Sequence, residues 1–201
     1  MVGLHAEREP NIHPDMLTST SMQRSEDYGA IAKLFHWTIL ALIALQFTIG
    51  WLMPDIRRGM QPETWMNLHL SIGLLILTLM SLRALWRLVH GAPPPEATLP
   101  QWQRFAAGLV HLLLYLVVFA LTMTGWFFAS MRGWTITVFG MVPVPRLVAE
   151  GSQIGSALGR WHGTLTWVLL AIIGAHVAAA LAHAFVFRDG VMRRMLPRVG
   201  G

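Results

Sequence analysis

The sequence of 201 residues contains no cysteine. This absence excludes disulfide bonds, thiolate-ligated iron–sulfur clusters and haem attached covalently through a Cys-x-x-Cys-His motif. Charge is also scarce, since only 12% of the residues are charged whereas 54% are hydrophobic. Because the apolar residues occur in long blocks and the mean hydropathy is +0.51, the composition is typical of an integral membrane protein.

A hydrophobic segment is missing from residues 1–27, which are polar, contain Pro10 and Pro14, and carry charges of both signs. We therefore expect a disordered amino-terminal tail and no cleavable signal peptide. The remainder is predicted to form one membrane domain, residues 28–190, followed by a basic cytoplasmic tail, residues 191–201.

Four apolar stretches are long enough to cross a bilayer as helices, which takes about 20 residues. They cover about residues 30–53, 65–88, 105–131 and 158–187, and the longest loop, 132–157, is rich in glycine and proline. Connections of this length favour antiparallel neighbours, and helices satisfy their backbone hydrogen bonds within lipid. The predicted fold class is therefore an all-α, four-helix antiparallel membrane bundle.

The net charge of +5 could indicate nucleic-acid binding, but most basic residues stand at the ends of the apolar stretches. Basic residues at such positions orient a membrane protein, so we expect lipid contact and no nucleic-acid partner. With the amino terminus inside, ten Lys and Arg residues fall on the cytoplasmic side and five on the outer side. This imbalance predicts that both termini are cytoplasmic. The outer five are Arg57, Arg58, Arg132, Arg146 and Arg160.

Three histidines lie in the fourth apolar stretch, although ionisable residues inside a membrane are costly and face the interior of a bundle. His162 and His176 are 14 residues apart, which is about 40° short of four helical turns. They therefore share one face and differ by about 21 Å in depth. His183 continues the same stripe. Two imidazoles stacked at opposite depths indicate two stacked haems.

Histidines of the other stretches match these two depths. His69 lies near the outer start of the second stretch and pairs with His162. At the inner level, His176 can pair with His36 or with His111. We prefer His36, because His111 can instead hydrogen-bond a haem propionate. The sequence thus predicts two non-covalent haems b, each held by two histidines.

One arginine and three glycines fit the same arrangement. Arg83 lies 14 residues after His69, so it reaches cytoplasmic depth on nearly the same helix face. It suits a haem propionate or a quinone head group. Gly73, Gly163 and Gly174 stand near the histidines, where small residues let a flat macrocycle approach the backbone.

Several of these stretches resemble the bacterial cytochrome b561 family, which is related in fold to the cytochrome b subunits of nickel–iron hydrogenases and formate dehydrogenases. The resemblance covers roughly residues 28–197. The matching motifs are Phe35–His36–Trp37, Asn67–Leu68–His69 with Gly73, His111 with Tyr115 and Gly125, Trp161–His162–Gly163–Thr164–Leu165, His176–Val177–Ala178–Ala179–Ala180–Leu181–Ala182–His183, and Arg193–Arg194–Met195–Leu196–Pro197.

The resemblance implies a multi-pass oxidoreductase of the bacterial inner membrane with two haems b. The implied iron ligands are the pairs His36 with His176 and His69 with His162. It also implies a quinone site at the cytoplasmic side, where we place Arg83 and His183.

The resulting hypothesis is electron transfer across the membrane from an outer donor to ubiquinone. Some stand-alone members of the family oxidise superoxide, and the outer arginines could steer a small anion, although they could equally contact lipid phosphates or a partner redox protein. One alternative is a quinone-reactive subunit fed by a larger dehydrogenase or hydrogenase complex. A haem-free proton or metal transporter is a further alternative, but it leaves the matched histidine depths unexplained.

Overall fold

The computed structural model describes residues 27–57 and 59–197, most of which form four long helices. In chain order these are α1 (Ala30–Leu52), α2 (Thr64–His90), α3 (Gln101–Met131) and α4 (Gln153–Ala182). A single π-helical turn, His183–Phe187, follows α4 directly. Most of the expected amino-terminal tail (1–26), Arg58 and the last four residues of the basic tail (198–201) lie outside the described residues.

Local chemistry sets the helix ends. Helix α2 ends at Gly91, whose φ of 72° is a conformation that favours glycine, and three prolines follow shortly after. Helix α3 begins directly after Pro100. At the start of α4, the Ser152 hydroxyl accepts a hydrogen bond of 3.4 Å from the Gly155 amide, so it caps the helix.

Each of the four helices is long and apolar enough to cross a membrane, which confirms the predicted all-α membrane bundle. Their outward faces carry many exposed apolar side chains, among them Leu34, Leu88, Phe105, Leu116 and Trp167. An apolar surface this extensive is untypical of a water-soluble protein but suits lipid, which is as apolar as the side chains themselves.

The loop between α3 and α4 is shorter than predicted and contains regular structure. It includes a two-stranded antiparallel hairpin, β1 (Ile136–Val138) with β2 (Val142–Val144), and α4 begins at Gln153, before the predicted start at about residue 158. The hairpin contacts α2, where the Ser71 hydroxyl accepts a 2.9 Å hydrogen bond from the Phe139 amide. The buried Trp134 indole donates to the Met60 carbonyl at 2.8 Å, which ties the same loop to the α1–α2 connection.

We call the end where α1 begins and α4 finishes the inner end, and the opposite one the outer end. The segment after the π-helical turn packs back across the inner end. The Lys33 ammonium donates to the Leu196 carbonyl at 2.9 Å, and the Trp37 indole donates to the Met195 carbonyl at 3.0 Å. On the other side, Arg194 donates to the Pro94 carbonyl at 2.8 Å. The described part of the basic tail therefore connects α1 to the α2–α3 connection.

Helices α3 and α4 approach each other closely because glycines on α4 leave room. A Cβ atom at Gly159 would collide with the Phe128 ring, and one at Gly155 would collide with Met131 and lie 3.0 Å from the Phe127 carbonyl oxygen. Small residues at a helix interface are the usual means of close packing within lipid, where no hydrophobic effect drives helices together.

This packing predicts that Gly159→Val destabilises the folded bundle by about 1–3 kcal/mol, because Phe128 and the α3 backbone must move to admit the side chain. The matched control is Gly108→Val on α3, where an added Cβ meets nothing within 4 Å. Thermal unfolding in detergent should show a clear loss for Gly159→Val and little change for Gly108→Val. Equal unfolding temperatures would contradict the proposed packing.

Candidate functional site

At the outer end, α2 and α4 each bring one imidazole to the bundle interior. The ring centres of His69 and His162 are 6.2 Å apart, and the ring planes meet at 71°. Because a carbonyl oxygen can only accept, His162 Nδ1 carries a proton and donates it to the Leu121 carbonyl at 3.0 Å. The lone pair of the neutral His162 ring is therefore on Nε2.

A cavity of about 200 Å³ lies beside this pair and is lined by residues of all four helices. A glycine on α3 leaves space for the His162 ring, and one on α1 lies in van der Waals reach of His69. A Cβ at Gly125 would lie only 2.9 Å from His162 Cε1, and one at Gly50 would lie 3.7 Å from His69 Cε1. Further lining residues are Gln46, Gly73, Trp126, Ile136, Thr166 and Leu169.

Toward the inner end, three histidines from three helices meet. His36 on α1 and His176 on α4 have ring centres 6.3 Å apart at 73°, whereas those of His111 on α3 and His176 are 5.2 Å apart at 77°. His111 Nδ1 donates to the Ala107 carbonyl of its own helix at 2.6 Å. Arg83 on α2 donates from Nη1 to His36 Nδ1 at 3.2 Å.

These separations test whether the residues suit haem iron. Metal–imidazole bonds of about 2.0 Å, with about 1.1 Å from each nitrogen to its ring centre, put two opposed rings about 6.2 Å apart. The pairs His69–His162 and His36–His176 have this separation, and the pair His111–His176 is closer by about 1 Å. Two of the three pairs therefore have the separation that a metal bound by both imidazoles would require.

A bare metal ion fits less well. Within residues 27–57 and 59–197, no group of three or more His, Cys, Asp or Glu side chains is arranged to hold one. A porphyrin supplies four of the six ligands of its iron, so opposed pairs of histidines suffice for haem and not for zinc, which takes four ligands from its surroundings.

The two residues predicted for a quinone site both lie toward the inner end, but in different surroundings. The Arg83 guanidinium contacts His36 and stands 5.8 Å from the centre of the Tyr115 ring. His183 lies in the π-helical turn, where its Nδ1 donates to Asp189 Oδ2 at 2.6 Å. Among the described residues, no hydrogen bond or ring contact joins Arg83 to His183.

Comparison with known proteins identifies the fold and its chemistry. The family model of prokaryotic cytochrome b561 matches residues 27–198, which is most of the chain. The chain belongs to the prokaryotic cytochrome b561 family. It is therefore a membrane haem protein of electron transfer, with several spans in the bacterial inner membrane, and haem b is the cofactor of the family.

Similar proteins cover almost the same length. Cytochrome b561 homolog 2 of Escherichia coli is 31% identical over 85% of this chain and 92% of its own length. The protein named probable superoxide oxidase CybB of Yersinia pestis is 30% identical over 87% of this chain and 98% of its own length. Cytochrome b562 of Cereibacter sphaeroides is 28% identical over 87% of this chain and 98% of its own length.

Sequence reasoning did not single out several residues that surround the histidines. Gln46 lines the outer cavity and donates from Nε2 to the His69 carbonyl at 2.9 Å. Its signal in the sequence is a lone amide within the apolar first stretch, and amides are costly in lipid without a partner. Asp189, the hydrogen-bond partner of His183, was recognised from the sequence only as part of the segment that ends the last helix.

The close approach at Gly125 predicts that Gly125→Val lowers haem b affinity about tenfold, since its side chain must displace the His162 ring. Haem per chain, measured by pyridine haemochrome against protein concentration, should fall. Gly108→Val, with the same added volume in open space, is the control for expression and folding. Unchanged haem affinity would show that the His162 position is not critical.

Proposed function

We propose that this protein transfers electrons across the membrane between an outer donor and ubiquinone at the cytoplasmic side, using two haems b held by opposed histidines. The observation that carries the proposal is the pair of ring separations, 6.2 Å and 6.3 Å, at two depths of one bundle. Both pairs use α4, whose His162 and His176 differ by about 21 Å in depth.

The outer ligands in this proposal are His69 and His162. The hydrogen bond from His162 Nδ1 to the Leu121 carbonyl supports it, because it fixes the tautomer that leaves Nε2 free for a metal. The rings stand beside a mostly apolar cavity, so the surroundings of whatever the rings hold are largely apolar.

The inner ligands are His36 and His176, with His111 as a neighbour that contacts a propionate. The ring separation favours His36 over His111 as the partner of His176. The hydrogen bonds favour His111, because His36 Nδ1 accepts from Arg83 and the neutral ring then carries its proton on Nε2. We give the separation more weight, since helix positions set it, whereas a side-chain rotation can release Arg83. The released guanidinium would then be available to a propionate.

Haem b, when bound, supplies a one-electron iron couple. The chain's own contribution is to hold the imidazoles, to keep the sites dry, and to manage the protons that accompany quinone reduction. Orientation with both termini in the cytoplasm, as the distribution of Lys and Arg predicts, puts Arg83 and His183 on the side where those protons are taken up.

His183 is suited to proton transfer at Nε2. Asp189 Oδ2 holds its Nδ1 at 2.6 Å, and Asp189 Oδ1 in turn accepts from the Val191 amide at 3.1 Å, so the imidazole is oriented by a fixed carboxylate. An imidazole oriented in this way is a common general acid in proteins. Arg83 supplies positive charge that stabilises a reduced quinone head group.

Superoxide is the outer donor that we propose. The similarity to a protein named probable superoxide oxidase supports this choice, as does the positive charge at the outer end. Arg132 lies there with its guanidinium 5.1 Å from the Trp134 ring centre and donates to the Arg57 carbonyl, while Arg146 and Arg160 are exposed. Such charges raise the local concentration of a small anion.

The ligand assignment predicts that His36→Ala loses one of two haems b, because its partner His176 alone cannot hold the inner iron. His111→Ala should retain both. Pyridine haemochrome counts and reduced-minus-oxidised spectra of the two variants provide the measurement, with helix content from circular dichroism as the folding check. The opposite result, loss on His111→Ala and retention on His36→Ala, would overturn the inner assignment.

The quinone assignment predicts that His183→Gln slows quinone-dependent haem reoxidation roughly 10²-fold, because a proton donor is lost. Haem reduction by superoxide should keep the wild-type rate. The matched control is His90→Gln, which alters another inner-end histidine that stacks on Trp86 at 3.6 Å. Stopped-flow spectroscopy separates the two steps, and an unchanged reoxidation rate in His183→Gln would exclude His183 from the quinone reaction.

A further inference from the structure

Two buried polar atoms beside the outer pair have no hydrogen-bond partner. They are Gln46 Oε1 and His69 Nδ1, and both residues line the outer cavity. Leaving a buried donor or acceptor unpaired costs about 1–3 kcal/mol. Among the described residues, the Tyr115 hydroxyl is the one other side-chain atom in this condition, and it belongs to a different helix, α3.

The unpaired edge of His69 faces the helix that carries Gln46. A Cβ at Gly50 would lie 3.7 Å from His69 Cε1 and 4.0 Å from His69 Nδ1, so the edge of the ring that carries these two atoms lies next to α1. Gln46 and Gly50 are four residues apart on α1 and therefore occupy the same helix face. The Gln46 amide is already anchored there, because its Nε2 donates to the His69 carbonyl at 2.9 Å.

The partner ring shows what His69 lacks. His162 donates from Nδ1 to the Leu121 carbonyl at 3.0 Å, with the Thr124 hydroxyl 3.5 Å away. A histidine that binds a metal through one nitrogen nearly always donates the N–H of the other to an oxygen, which orients the ring and makes it a stronger ligand. For His69 in this role, Gln46 Oε1 is an unpaired acceptor on a residue that lines the same cavity and already contacts the His69 carbonyl.

We propose that Gln46 is a positioning residue for the outer haem, whose Oε1 accepts the Nδ1 proton of His69 while its Nε2 keeps the His69 carbonyl. The imidazole can turn toward the amide at small cost, because the second side-chain torsion of histidine has a broad minimum. This role rests on the proposed function, in which His69 is an iron ligand. The bond increases the basicity of His69, which favours oxidised iron and lowers the reduction potential.

The test is a redox titration of Gln46→Leu and of Gln46→Met. Both variants remove the acceptor and put an apolar side chain of similar size in its place. We expect one of the two haem potentials to rise by about 59 mV, equivalent to a tenfold shift in a one-electron equilibrium, while the other stays unchanged. The low-spin ferric signal of the same haem should change in electron paramagnetic resonance. Gln46→Glu retains an acceptor and should not raise the potential.

The matched control is Thr48→Val, which removes one hydroxyl from α1, where it bonds only its own helix at Ala44. It should leave both potentials unchanged. Unmoved potentials in both Gln46→Leu and Gln46→Met, with both haems present, would overturn the role of Gln46. An equal rise of the haem potential in Gln46→Glu and Gln46→Leu would also overturn this role. Both variants lose the Nε2 donor to the His69 carbonyl, so the rise would then come from that lost contact rather than from the lost acceptor. A wild-type protein with a single haem b would instead refute the proposed function.

Discussion

The separation between the paired imidazoles, which the proposed haem sites require, is the constraint on which the rest of this bundle depends. Ring centres 6.2 and 6.3 Å apart leave little tolerance, since about 0.5 Å of displacement is enough to spoil a metal site. Neighbouring features maintain the spacing. Gly125 leaves room beside the His162 ring, the Leu121 carbonyl holds that ring, and glycines along α4 let α3 approach. In lipid no solvent would satisfy these polar groups, so each needs a partner within the protein.

The two ends of the bundle differ in ways that suit different tasks. The outer pair lies beside a mostly apolar cavity, and the nearby hairpin is held to α2 by Ser71. The inner end gathers a third histidine, Arg83, and the linked residues His183 and Asp189. An electron needs only closely spaced carriers, whereas a proton needs donors and acceptors. In the proposed function, the polar inner end is therefore the place where the two would be combined on one acceptor.

The four spans and the depths of the histidines could be predicted from the sequence. The length of an apolar stretch predicts a span, and the helical rise per residue predicts the depth of a histidine within it, so neither requires knowledge of the neighbouring helices. The choice between His36 and His111 stayed open, since it depends on how α1 and α3 are rotated about α4. Hydrogen-bond partners such as Gln46 and Asp189 depend on the same rotations. The hairpin was missed because strands of three residues, with Pro143 in one of them, give no alternating pattern long enough to recognise.

Helix α4 contributes a ring to both pairs, so the distance between the two pairs is fixed by one uninterrupted stretch of backbone hydrogen bonds rather than by loops. Loop lengths could vary without changing it. A single residue inserted between His162 and His176 would instead rotate one ring by about 100° relative to the other and shift it by about 1.5 Å. The stretch of α4 between His162 and His176 therefore sets the spacing of the two pairs, and its length cannot change without moving one ring relative to the other.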